Sequence, residues 1–136
     1  ALLIGLERRK ETLYRRLEER IDWQLIHGMV EETRALIDRG YGRELGSMKG
    51  LGYRQIGAYL ANECDYAEMV RRFKRDTRRF AKRQMTWFRS EVGVAWLLIE
   101  DNEPYERTAE RVIARIEQFM CTLGQQKLLA AVPPAS

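Results

Sequence analysis

Between residues 71 and 89 the chain places nine cations: Arg71, Arg72, Lys74, Arg75, Arg78, Arg79, Lys82, Arg83 and Arg89. Only Asp76 opposes them within that stretch. Like charges four residues apart on a helix repel by roughly 0.2–0.5 kcal/mol per pair, so a helix made for packing alone would intersperse Glu. Seven of the nine are Arg, whose planar guanidinium forms forked hydrogen bonds with phosphate as well as attracting it. The chemistry on offer is a grip on a polyanion or on an acidic partner. The bland alternative is a solvated face whose cations pair with acids elsewhere, such as Glu100, Asp101, Glu103 and Glu106.

The cationic run closes with Lys82-Arg83-Gln84-Met85-Thr86-Trp87-Phe88-Arg89. Cations at both ends, an amide and a hydroxyl between them, and neighbouring aromatics suit RNA: cations hold phosphates while flat side chains stack on unpaired bases. Composition alone favours Trp87 and Phe88 as core residues over base platforms. A second cluster, Lys49-Gly50-Leu51-Gly52-Tyr53-Arg54, is a glycine loop entering a helix. Exposed backbone N–H groups at such a start favour an anion. It lacks the GxxxxGK[ST] pattern of a phosphate-binding P-loop. No Ser/His/Asp set, acid pair or metal-ligand spacing is present, so no catalytic residue and no metal ligand is assigned. Cys64, Cys121 and the single His27 do not make a zinc site. Free thiols fit a reducing compartment, and a cytoplasmic location is expected.

These residues need helices to position them. Leu13, Leu17, Ile21 and Leu25 recur every four residues over 11–27, with Tyr14 and Trp23 flanking. Gly28 interrupts, and helix formers resume to Gly40, which predicts two helices or one kinked at Gly28. Five glycines between 40 and 52 mark a loop. A helix follows from about 52 to 62. Asp65 and Glu68 cap the next one, whose Tyr66, Met69, Val70, Phe73, Thr77, Phe80, Ala81, Gln84, Met85 and Phe88 form one face. Residues 2–7 and 92–99 read as short strands, and the first has no obvious partner. A last helix starts near Pro104 and runs to about Leu123, and residues 129–136 are expected to be a disordered tail. The absence of an opening Met suggests a fragment. No apolar run approaches a membrane span.

The net charge of +4 is modest, but its distribution is uneven. Residues 64–90 carry nine cations against three acids, whereas 91–136 carry four against seven. Concentrated basic charge is the footprint of a polyanion-binding face.

Several ordered motifs resemble the bacterial tRNA dimethylallyltransferases, also called isopentenylpyrophosphate transferases. Residues 82–89 are similar to the family's KRQ-hydrophobic-TW-hydrophobic-R signature, and Thr77-Arg78 with 81–84 to its TR-x-x-AKRQ pattern. Lys49 to Arg54 resembles its [RK]-x-[IVL]-GYR loop. Leu13-Tyr14, Arg20-Ile21-Asp22, Gly28 and Glu31-Glu32 fall where its LY…RID…G…E stretch falls. The likeness covers about residues 2–97. It implies a mainly α fold: a helical, bundle-like C-terminal portion over 10–128 with one or two short strands. Residues 1–9 would be a strand of a P-loop kinase-like α/β core that this chain lacks.

The resemblance further implies transfer of a dimethylallyl group from dimethylallyl diphosphate to N6 of the adenosine 3′-adjacent to the anticodon. Mg²⁺ would be bound by the absent core, with no cofactor in this chain. The tRNA anticodon stem-loop would be held by Lys49, Gly50, Leu51, Gly52, Tyr53, Arg54, Arg75, Arg78, Arg79 and residues 82–89. Arg20 and Arg54 are candidate diphosphate contacts. Lacking the family's P-loop and general-base Asp, the chain is expected to be inactive alone. The alternative is a non-enzymatic basic module that binds RNA without sequence preference. The strand over 2–7 would pair with 94–99, self-associate or stay disordered.

Overall fold

Residues 1–130 are described by the computed structural model, and they divide into two compact units. The first unit is 10–88. Its opening helix α1 (Lys10–Ile26) follows the four-residue repeat, but only the C-terminal half of the stripe is deep. Ile21 and Leu25 are buried, whereas Leu13 and Leu17 are half-buried. Gly28 has φ 96°, the left-handed region that costs glycine little. The outcome is therefore two helices, with α2 (Met29–Asp38) following α1. Inside α2, the buried Thr33 hydroxyl donates to the Met29 carbonyl at 2.7 Å.

The glycine loop contains one 3-10 turn, Ser47–Lys49, and leads into α3 (Tyr53–Leu60). Then α4 (Tyr66–Ser90) begins where the sequence expects, with the Asp65 carboxylate accepting the Glu68 N–H at 2.8 Å. Met69, Phe73, Thr77 and Ala81 are its buried residues, spaced by four. With Ile21, Leu25 and Ile56 they build the unit's core, and Met29, Val30, Leu51, Tyr59 and Val70 pack around it.

The predicted apolar face of α4 is wider than the buried one. Tyr66, Phe80 and Phe88 are exposed by 48%, 43% and 43%, and Gln84 is exposed as well. The buried residues form a single line spaced by four, and the apolar positions three or seven residues from it on the same side reach solvent.

The second unit holds 1–9 and 89–130 of the described residues. The strand without an obvious partner has one: β1 (Leu3–Glu7) pairs in parallel with β2 (Val94–Leu98), Leu3 opposite Val94 through Glu7 opposite Leu98. Of the three outcomes open to residues 2–7, pairing with 94–99 is the one observed, and it satisfies one edge of β1. Gly5 sits opposite Trp96, and a Cβ there would come 2.6 Å from the indole Cζ3. The last helix, α5 (Tyr105–Ala130), starts after Pro104 as expected and continues past Leu123. Glu103 and Arg111 join it to β2: Arg111 donates to the Leu98 carbonyl at 2.9 Å and to the Glu103 carboxylate at 2.8 Å. Of the disordered tail expected over 129–136, residues 129–130 instead belong to α5, and 131–136 lie outside the described residues. No described helix is long and apolar enough to cross a membrane.

Candidate nucleic-acid interface

The cations of α4 are not equivalent. Glu68 takes both Arg71 and Arg72, each with an N···O distance of 2.6 Å. Lys74 pairs with Asp22 of α1 at 2.7 Å, Arg78 pairs with Glu18 of α1, and Arg75 pairs with Asp76 at 2.9 Å. Arg89, which groups with the second unit, pairs with Glu7 at 3.0 Å. Of the acids named as alternative partners, Glu100 pairs with Arg9 and Glu103 with Arg111. Among the described residues this leaves Arg79, Lys82 and Arg83 with no carboxylate partner. All three are exposed or half-exposed. Neighbouring acids thus stitch α4 to its own unit over its first half and leave the positive charge open over residues 79–83. That half is also nearer the helix C-terminus, where the backbone dipole favours cations.

The open stretch faces the glycine loop. Lys49, Gly50, Leu51 and Arg54 line one side of a groove of about 430 Å³, and Asp76, Arg79, Phe80 and Arg83 line the other. The α4 members follow the i, i+3, i+4, i+7 rule for one helical face. The glycine loop therefore shares one cleft with Arg79 and with Arg83, the one residue of the 82–89 cluster that lines it.

Three residues that hold this cleft together carry no motif in the sequence. Gln55 is 4% exposed and donates through Nε2 to Asp76 at 2.9 Å. Its Oε1 accepts the Gly52 N–H at 2.9 Å, so one side chain caps α3 and fixes α4. Asp76 also receives Arg75 at 2.9 Å and Arg54 at 3.4 Å. Burial pushes the Asp76 carboxyl up, but the hydrogen bonds from Arg75 and Gln55 and the charges of Arg75 and Arg54 outweigh it, and the net direction is down. Asp76 stays ionised and orients Arg54. The third is Phe80, whose ring lies 5.9 Å from the Arg83 guanidinium. The one signal available in sequence is Asp76 itself, a lone acid amid nine cations.

Other assigned residues serve differently. Gly52 has φ 92°, and a Cβ there would run into the Met29 methyl and come 2.9 Å from Phe73 Cζ. Its N–H is taken by Gln55, and the Arg54 N–H is taken by the Gly50 carbonyl at 3.1 Å. Glycine is thus needed for packing at position 52, and these two amides are not offered to an anion. Tyr53 donates its hydroxyl to Glu32 at 2.5 Å, a strut from α3 to α2 that raises the phenol pKa, chiefly through that hydrogen bond. Thr86 donates to the Lys82 carbonyl at 3.0 Å, and Met85 is half-buried. Trp87 and Phe88 meet edge to face at 4.8 Å and are exposed by 59% and 43%, the reverse of the core placement that composition favours. Arg20 is exposed on α1 and does not line the groove with Arg54. No group of three or more His, Cys, Asp or Glu among the described residues could hold a metal ion.

Comparison with known proteins places the chain in a family. Residues 1–91 match the family model described as IPP transferase. The chain is 42% identical over 117 residues to the tRNA dimethylallyltransferase of Desulforudis audaxviator, covering 86% of this chain and 38% of that protein. It is 47% identical over 96 residues to tRNA dimethylallyltransferase 1 of Citrifermentans bemidjiense, covering 71% of this chain and 31% of the relative. The crystal structure of the full-length tRNA isopentenylpyrophosphate transferase from Bacillus halodurans superposes with a TM-score of 0.80 at 31% identity. That match covers 96% of this chain and 42% of the other. The matched region is thus about a third of the length of these curated relatives. With two thirds of its length inside the family model, the chain belongs to the IPP transferase family.

Proposed function

We propose that this chain is the tRNA-gripping portion of a tRNA dimethylallyltransferase. In that enzyme a dimethylallyl group passes from dimethylallyl diphosphate to N6 of the adenosine 3′-adjacent to the anticodon. The observation that carries the reading is the cleft between the glycine loop and α4, lined by Arg79 and Arg83, which with the neighbouring Lys82 have no carboxylate partner among the described residues. A nucleic-acid backbone supplies the phosphates that such guanidinium groups bind in pairs. The exposed Trp87 and Phe88 lie one to two turns further along α4 and suit an unpaired anticodon-loop base.

The chemistry itself falls to a part of the enzyme outside this chain. A general base, a P-loop and a Mg²⁺ site serve the diphosphate in that enzyme. Arg54 is committed to Asp76 at the edge of the cleft, which supports an RNA role for it. Arg20 remains the candidate for the diphosphate. Alone, the chain binds tRNA and transfers nothing.

Fluorescence anisotropy with an anticodon hairpin tests this. Reversing charge at Arg79, Lys82 and Arg83 together should weaken binding by about 100-fold or more. Replacing Arg71 and Arg72 by Gln should change it by no more than about threefold, because both are held by Glu68 in the first turns of α4 and neither lines the cleft. Equal losses in the two variants would point to a diffuse charge effect and to the alternative of a module without sequence preference.

A further inference from the structure

By spacing, Phe80 belongs to the apolar stripe of α4, yet it is 43% exposed and stands in the cleft among Lys49, Arg54, Arg79 and Arg83. Binding a phosphate backbone requires cations and donors but nothing aromatic. An exposed phenyl ring in the middle of a cationic cleft points to a ligand that is charged at its rim and flat and apolar within. Leu51, half-buried beside it, adds a second apolar surface. A volume of about 430 Å³ lies in the range that encloses an organic ligand rather than a bare phosphate. Among small units of that size, a nucleotide joins a flat base to a phosphate.

We propose that the cleft is a pocket for one unpaired RNA nucleotide, its base stacked on Phe80 and its phosphate held by Arg79 and Lys49. This deepens the tRNA-gripping reading and rests on it. Arg83 is the exchangeable element. Its guanidinium lies 5.9 Å from the Phe80 ring and has no carboxylate to hold it there. Stacking of a base on an aromatic ring is stronger than an exposed cation–π contact. An arriving base therefore displaces Arg83 from the ring, and the freed guanidinium turns to a neighbouring phosphate. Asp76, held by Gln55 and Arg75, lines the cleft and accepts a hydrogen bond from Arg54. Because stacking tolerates any base, the pocket selects unpaired nucleotides over paired ones and reads no sequence by itself.

The test uses the chain with two labelled probes: a single-stranded oligoribonucleotide of about eight nucleotides and its abasic counterpart with the same number of phosphates. Wild type should prefer the base-bearing strand. Phe80→Leu should weaken that complex by about tenfold and leave the abasic complex unchanged, and Phe80→Tyr should restore the preference. Equal binding of both strands by wild type, or an equal loss on both in Phe80→Leu, would overturn the pocket while leaving the phosphate grip standing. Failure of wild type to bind either strand would overturn the grip and the pocket together. Circular dichroism of Phe80→Leu should match wild type, as expected for so exposed a side chain.

Discussion

Single residues in this protein divide between those that meet solvent and those that set the backbone. Gly52 is of the second kind. Gly52→Ala should destabilise the fold by about 2 kcal/mol or more, because the left-handed backbone and the nearby Phe73 ring both oppose a Cβ. A urea titration would show it as a lower midpoint with an unchanged slope. Asp76→Ala should cost about 1–3 kcal/mol in the same assay, since the buried Gln55 amide would lose its acceptor. Thr77 runs the other way. Its hydroxyl is buried without a hydrogen-bond partner among the described residues, so Thr77→Val keeps the shape and removes the unpaired group, and should raise Tm. None of this is legible in sequence. A glycine in a loop entering a helix suggests conformational freedom, and only the structure shows that Met29 and Phe73 fill the space. The roles of Gln55 and Asp76 depend on a hydrogen bond between residues 21 positions apart on different helices.

At the scale of elements, periodicity does most of the positioning. The start of α4, the break at Gly28 and the helix after Pro104 follow from caps, glycine and proline. What periodicity overstates is the width of the buried face, because it counts apolar residues and cannot know how many neighbours will cover them. By that count Phe80 and Phe88 belong to the core, and both are on the surface. Pairing of β1 with β2 is one of three options in sequence for the same reason: the strands lie some 90 residues apart, and neither pattern names its partner. The first turn of α4 carries a pH prediction. Hydrogen bonds from Arg71 and Arg72 lower the Glu68 carboxyl from 4.5 to about 2. A depressed folded pKa means that its contribution is present above the unfolded value and is lost as pH falls from about 4.5 towards 2. A carboxyl-detected NMR titration should place the Glu68 midpoint at about 2, and Glu68→Gln should flatten the acid dependence of helicity over that window.

Over the whole molecule, the decisive quantity is which charge remains open once the internal pairs are counted. Sequence correctly locates the excess positive charge in residues 64–90. It cannot separate the cations of 71–78, which bind α1 and their own helix, from those of 79–83, which have no carboxylate partner among the described residues. The proposed grip therefore depends on a small number of open cations rather than on net charge. The most direct measurement is the salt dependence of anticodon-hairpin binding, for wild type and for a variant with Arg79, Lys82 and Arg83 changed to Gln. Removing one cation–phosphate interaction makes the slope of log K against log salt shallower by about 0.7–0.9. The triple variant should therefore show a slope shallower by about 2 to 3, and Arg71→Gln/Arg72→Gln a slope nearly unchanged. A wild-type slope retained in the triple variant would contradict the grip at residues 79–83.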